Sequence, residues 1–273
     1  MKRHSALPGF GLSMGLTLFW VSAIVLVPLS AVFIRSFGEG WEHFLAAGFS
    51  ERALASYRVG FGAALIAAAI NAVFGLIIAW VLVRLKFPGR RVLSALIDLP
   101  FALPTAVAGI ALTTLYADTG WIGGLLAPLG IPVAYHPQGI VVALTFIGLP
   151  FIVRTVEPVL MDLDVAYEEA AATLGANRRQ RFFHVVLPEI GPALLAGCAM
   201  AFARGVGEYG SVIFIAGNMP MVSEIPPLLI VTQLEQYDYA GASAIAVVML
   251  LFSFVVLAIV NRLQTRIAGR AAA

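Results

Sequence analysis

Long apolar runs separated by short polar intervals set the pattern of this chain. They cover Leu12–Phe37, Tyr57–Val83, Val92–Tyr116, Gly139–Val156, Ile190–Ala216 and Gly241–Asn261. A hydrocarbon core of about 30 Å takes roughly 20 helical residues to cross, so the pattern predicts six membrane-spanning helices. A transmembrane barrel is built instead from alternating segments of about 10 residues, and the runs here are continuous and far longer. The expected fold class is an all-α integral membrane protein, a six-helix transmembrane bundle forming a single domain over residues 1–273. Composition agrees, with 60% hydrophobic and 12% charged residues against about 45–50% and about 25% in a globular domain.

The polar intervals orient the bundle. Lys and Arg are retained on the cytoplasmic side, and thirteen of the seventeen fall on one face: Lys2 and Arg3, then Arg84, Lys86, Arg90 and Arg91, then Arg154, Arg178, Arg179 and Arg181, then Arg262, Arg266 and Arg270. Arg35, Arg52 and Arg58 lie near the first opposite loop, while 117–138 and 217–240 contain no Lys or Arg. Both termini are therefore expected in the cytoplasm, in a multi-pass protein of the cell inner membrane. The first run exceeds the 7–15-residue apolar region of a cleaved signal peptide, so it reads as a signal anchor and first span. Trp41, Tyr57, Trp80, Trp121 and Tyr135 stand near span ends, where aromatic belts form. The net charge of +2 reflects this asymmetry and gives no support to a nucleic-acid partner; membrane lipid is the surrounding partner.

Searching the polar positions for chemistry narrows the function classes. No Gly-x-x-x-x-Gly-Lys-Ser/Thr loop, His-Glu-x-x-His or Gly-x-Ser-x-Gly occurs. His4, His43, His136 and His184 are scattered over different segments, and the only cysteine, Cys198, excludes an internal disulfide. The chain is not expected to be an enzyme, to bind ATP or to hold a metal or cofactor. An intramembrane enzyme would need a converging nucleophile or metal set that these residues do not offer.

The one long polar segment on the basic face is Glu157–Glu189. Asp162 and Asp164 offer a carboxylate cap to a first helix, Val165–Leu174, ended at Gly175, which readily adopts a left-handed backbone. A second helix from Arg178 is expected to stop at Leu187-Pro188, since proline has no N–H and disfavours helix in the residue before it. Glu168 and Glu169 offer carboxylates, Ala170 and Ala171 permit close approach, and Leu174, Phe182 and Phe183 suit an apolar groove. Two readings stand side by side: a docking element for another protein, or an amphipathic connector on the bilayer surface.

Glu169-Ala170-Ala171, then Gly175, then Leu187-Pro188 resembles the signature loop of permease subunits in bacterial binding-protein-dependent ABC importers. Val185 stands where that family usually has Ile. The resemblance implies a type I importer permease, with a coupling helix between spans 4 and 5 that docks on a separate ABC ATPase. ATP and Mg would then be bound by that partner. The stretches Leu99–Gly109, Ile147–Thr155 and Phe202–Ser211 resemble sulfate and molybdate permeases, and Thr113–Tyr116 with Gly120–Gly123 resembles the sulfate/thiosulfate type, its T subunit in particular. That implies a second permease in a heterodimer and a periplasmic sulfate/thiosulfate-binding protein as further partners. Molybdate or tungstate is the alternative cargo, and an ATP-independent secondary transporter the alternative class.

Within the spans, Arg204 and Glu208 lie four apart, a helical spacing that places them on one face. They read either as a structural ion pair or as groups that line or gate the pathway. Pro100, Pro104 and Pro150 interrupt apolar spans, each removing a backbone donor, and Thr105 and Thr145 carry hydroxyls able to meet an oxyanion. Asp98 requires a partner that the sequence does not name. The loop 217–240, with Glu224 and Asp238, reads as a solvated connector or as a surface for the binding protein.

Overall fold

The computed structural model describes residues 10–271, with side chains through Arg262. Lys2, Arg3 and His4 lie outside the described residues, as do the side chains of Arg266 and Arg270. Every regular element among the described residues is helical. Among the described residues five helices are long and apolar enough to cross a membrane: α1 (Phe10–Ser36), α3 (Glu51–Arg84), α8 (Pro137–Asp162), α10 (Arg178–Val206) and α13 (Tyr239–Ala271), the last over Tyr239–Arg262. A short α2 (Trp41–Gly48) links the first two.

The third apolar run is not one helix. It folds as α4 (Arg90–Ile97), α5 (Leu99–Ala102) and α6 (Thr105–Tyr116). Pro104 accounts for the break before α6, since it pushes Leu103 into an extended conformation (φ −84°, ψ 136°). Pro100 stands instead in the first turn of α5, where a missing N–H is harmless. Pro150 does not interrupt its span: α8 is continuous through both Pro150 and Pro158, because its buried faces are clamped between α3 and α10. The fourth helix consequently runs to Asp162, past the expected limit at Val156.

Two more expectations change. The helix that starts at Arg178 does not stop at Leu187-Pro188 but continues into the fifth span. A wide turn over Phe182–Val186, with the Leu187 N–H donating to the Phe182 carbonyl five residues back, carries the chain past the proline. At its other end α10 finishes at Val206, so Glu208 lies in the turn beyond it. The glycines at 205, 207 and 210 weaken helix there. A one-turn α11 (Val212–Ile215) follows. The loop after it contains α12 (Pro226–Glu235), whose first residue packs on Gly60 of α3, where a Cβ would come 2.6 Å from the Pro226 ring. A single turn, α7 (Gly123–Leu126), and α9 (Val165–Thr173) complete the set.

The core is the α3–α8–α10 trio. Association of helices in lipid depends on close packing, for which small residues are favoured at the contacts. Gly75 faces Ile152, Gly148 faces Asn71, and Gly197 faces the Ile152 backbone, each with too little room for an unshifted Cβ. These pairings make α3 parallel to α8 and α10 antiparallel to both. Leu144, Phe202 and Ile215 fill the end nearer Glu224, and Leu82, Ile97 and Ile190 fill the end nearer Arg84. Val32 and Phe33 of α1 pack on Ala244 and Val247 of α13, whereas α1 from Phe10 to Val21 buries nothing within the chain.

Candidate functional site

The segment after α8 is organised by caps. Asp164 accepts a hydrogen bond from the Ala166 N–H at 2.9 Å and starts α9. Gly175 has φ +86°, and its N–H and that of Ala176 return to the carbonyls of Ala172 and Ala171 at 3.0 Å. A Cβ at Gly175 would meet nothing within 4 Å, so backbone conformation, not space, selects glycine. Asn177 and Gln180 then form a reciprocal capping box on α10. The sequence reading missed that box, although Asn followed three residues later by Gln is its signature.

Side chains divide this segment into an inner and an outer face. Glu168 is not offered outward: Arg84, at the end of α3, donates to its Oε1 at 2.6 Å. Phe182 also turns inward, edge-on to Trp80, and Leu187 packs against the core. Glu169, Ala170 and Pro188 are exposed, Ala171 half-buried. Leu174, which caps α9, is 88% exposed and Tyr167 64%, so the outer side of α9 and its end presents large side chains to the surroundings.

Beside it, Arg154 of α8 supplies the partner that Asp98 lacked in the sequence. Its Nε and Nη2 donate to the two Asp98 oxygens at 2.8 and 2.5 Å. Nη1 donates to Glu157 at 2.6 Å, and Nη2 also reaches Ser94 Oγ and its carbonyl at 2.9 Å. A planar guanidinium suits such a fork, and this one fixes the junction of α4 and α5 to the end of α8.

The second cluster lies where the two broken spans meet. Arg204 Nη1 donates to Glu208 Oε2 at 2.5 Å, and Glu208 Oε1 accepts from the Ser211 N–H at 2.9 Å and its hydroxyl at 3.0 Å. Glu208 is 3% exposed, while the Arg204 side chain is 39% exposed. On the facing side, a Cβ at Gly109 would come 2.8 Å from Ser211 Cα, and one at Gly210 only 2.2 Å from Thr105 Oγ1. Thr105, next to Pro104 in the chain, is thus brought against the Glu208–Ser211 turn. Pro100 lies on the other side of the span break, and Thr145 stands on α8 with its hydroxyl buried and unpartnered. Irregular backbone among membrane helices is tolerated where it is buried in protein or lines a water-filled cavity.

At the end of the bundle away from α9, Arg52 grips the buried Glu224 with Nε and Nη2, at 2.7 and 2.6 Å. The structure also brings His43 between two carboxylates: its Nδ1 lies 3.5 Å from Glu39 and its Nε2 3.3 Å from Asp238. The two ring nitrogens address different carboxylates, so the imidazole bridges them instead of converging with them on one metal position. A lateral cavity of about 710 Å³, lined by Phe61, Leu65, Phe202, Phe252 and Val256 among others, is almost wholly apolar. Its lining suits hydrocarbon, with Arg58 the one charged residue in it.

Residues 71–269 match the family described as binding-protein-dependent transport system inner membrane component. The chain is 49% identical over 270 residues to the sulfate transport system permease protein CysT of Salmonella typhimurium, covering 99% of this chain and 98% of that one. It is 51% identical over 252 residues to the protein of the same name from Synechococcus elongatus, covering 91% and 89%. Its fold is similar to a chain in the crystal structure of a bacterial alginate ABC transporter bound to a periplasmic protein carrying an alginate pentasaccharide. There the TM-score is 0.76 over 95% of both chains, at 17% identity.

Proposed function

The chain belongs to the family of binding-protein-dependent transport system inner membrane components, and from that membership we propose that it is the permease subunit of an ATP-driven sulfate importer. As a permease of this family it has no ATPase domain, and ATP is hydrolysed by a partner subunit. The observation that carries the sulfate assignment is the near-full-length identity of about half to sulfate permease proteins. Thiosulfate, equal to sulfate in charge and close in shape, is the second cargo.

In this reading residues 1–273 form one permease domain in the inner membrane, with both termini and the 157–189 segment in the cytoplasm. A second permease completes a heterodimer, and a periplasmic sulfate/thiosulfate-binding protein delivers the anion at the Arg52–Glu224 end. The exposed face of α9, around Glu169, Ala170, Ala171, Leu174 and Gly175, docks on the ATPase, which binds ATP and Mg. Leu187 and Pro188 anchor the loop's return into the membrane. Closure of the ATPase moves α9 and switches access to the pathway; the switch follows only from contacts that differ between the two states.

Pro104, Thr105, Arg204 and Glu208 are the pathway or gate residues in this proposal, with Pro100 and Thr145 flanking them. Support comes from the guanidinium. Its Nη1 is held by Glu208, which fixes its position, while its half exposure leaves other N–H donors to meet a passing oxyanion. Glu208 keeps the site close to neutral, favouring transit over retention.

The test is reconstitution of this chain with its second permease, ATPase and binding protein in proteoliposomes. Radiolabelled sulfate uptake driven by ATP, competed by thiosulfate, is expected. Uptake of molybdate or tungstate in place of sulfate would overturn the cargo assignment, and uptake without the ATPase would overturn the class.

A further inference from the structure

The lateral cavity has three walls. Leu54, Arg58, Leu65 and Ala69 of α3 stand along one, with Cys198 of α10 and Val256 of α13 in the others. Phe61 joins them, its ring centroid 6.2 Å from that of Phe202 on α10 and 4.3 Å from that of Phe252 on α13. No described residue fills the space of about 710 Å³ between the walls. At Gly62, in the lining, an added Cβ would meet no atom within 4 Å. Apolar surface facing a void forfeits its dispersion contacts, so the cleft favours an occupant.

Charge says what the occupant carries. Arg58, the one charged residue of the lining, is exposed, and its guanidinium has neither an ion pair nor a hydrogen-bond partner among the described residues. Arg52 and Arg84 on the same helix are held by Glu224 and Glu168. An unpaired cation beside hydrocarbon is costly and calls for an anion.

Depth says where that anion comes from. At 1.5 Å per residue, Arg58 lies about 39 Å along α3 from Arg84, close to the about 40–45 Å of a bilayer with its headgroups. With Arg84 at one surface, Arg58 stands among the headgroups of the other. From Arg58 the groove follows α3 for about 16 Å to Ala69, matching one leaflet's share of a hydrocarbon core of about 30 Å.

We propose that this groove is a phospholipid-binding site in the leaflet at the Arg52–Glu224 end. One acyl chain lies between α3, α10 and α13, and the Arg58 guanidinium donates to two oxygens of the phosphate, a pairing that its planar fork fits. An apolar helix of a second subunit would fill the cleft and leave the guanidinium without an anion, whereas a phospholipid meets both needs. The proposal is independent of the cargo and of the role of α9.

Photolabelling of the assembled complex in liposomes tests it. The probe is a phosphatidylglycerol with a diazirine on one acyl chain, and labelled peptides are read by mass spectrometry. Adducts are expected on residues 195–202 of α10, around the half-buried Cys198. Excess unlabelled phosphatidylglycerol should suppress them. Diacylglycerol, with the same chains and no phosphate, should compete about tenfold less well, the effect of losing one hydrogen bond to a charged group. At equal amounts of assembled complex, Arg58→Gln should lower labelling by a similar factor, Arg58→Lys by less, and Gly62→Leu should suppress it by filling the groove. Equal competition by diacylglycerol, or parental labelling in Arg58→Gln, overturns the proposal. So does an α10 free of adducts in the parental complex while α1 is labelled, the pattern of a protein partner in the groove. The competition needs no variant, so it decides the matter even where Arg58→Gln fails to assemble.

Discussion

Arg84, the last residue of the second spanning helix, donates to Glu168 of the helix that follows the fourth at 2.6 Å, across 84 positions of sequence. Both side chains are 19% exposed. The pair joins α9 to the end of α3, so a force on α9 reaches two spanning helices, one through its chain connection and one through this contact.

Arg84→Ala is expected to leave the fold within about 1 kcal/mol of the parent, the range of partly solvated ion pairs, while lowering sulfate carried per ATP hydrolysed several-fold. Exchange of the two residues, Arg84→Glu with Glu168→Arg, should recover part of the loss. Parallel assays of uptake and ATP turnover in proteoliposomes check this; an unchanged ratio in Arg84→Ala would deny the contact a coupling role.

In the proposed docking segment, Gly175 acts through its backbone alone. With φ +86° and open space around it, Gly175→Val should cost about 1–2 kcal/mol and Gly175→Asn distinctly less, because Asn tolerates the left-handed region. Copurification of the ATPase with each variant should weaken in that order. Thermal melting of the permease alone separates local misfolding from lost docking.

Arg204 and Glu208 are unequal partners. Glu208 is buried at 3% exposure, so Arg204→Ala strands a carboxylate among helices and should cost about 3–5 kcal/mol. Glu208→Gln leaves the half-exposed guanidinium accessible and keeps an oxygen for Ser211, so its effect on melting should be much smaller. If both variants fold, uptake should fall in Arg204→Ala and be retained better in Glu208→Gln. Equal melting shifts for the two would contradict the asymmetry.

Two glycine substitutions report on the break between the spans. Gly109→Ala drives a methyl into Ser211 backbone atoms that cannot move as a side chain can, and overpacking of this kind costs typically about 1–3 kcal/mol. Gly62, on α3, has nothing within 4 Å of its Cβ, so Gly62→Ala should stabilise by about 0.5–1 kcal/mol through helix propensity. Melting temperatures in detergent should move in opposite directions.

Much of the site was legible along the chain because its signals are local. A carboxylate before α9 and a glycine after it announce a capped helix from a dozen consecutive residues. Proline was a poorer guide. Pro104 breaks its span while Pro150 and Pro188 do not, since a missing N–H only weakens a helix and neighbouring contacts decide whether it survives. Arg204 and Glu208 were paired on the assumption of helical spacing; the pair forms even though the helix ends between them, because a four-residue separation also closes across a turn.

What the sequence determined by itself was the lipid-facing character, the approximate places of the long helices and the wording of the 157–189 segment, all properties of residues near one another in the chain. Which helices would touch was decided only in three dimensions. Asp98 meets Arg154 across 56 positions and Arg52 meets Glu224 across 172, while Asn71 meets the bare backbone of Gly148. Apolar periodicity says that a helix has a surface to cover and not which partner covers it. In lipid, where hydrophobicity favours no one contact over another, that choice falls to small residues and to buried polar groups seeking partners.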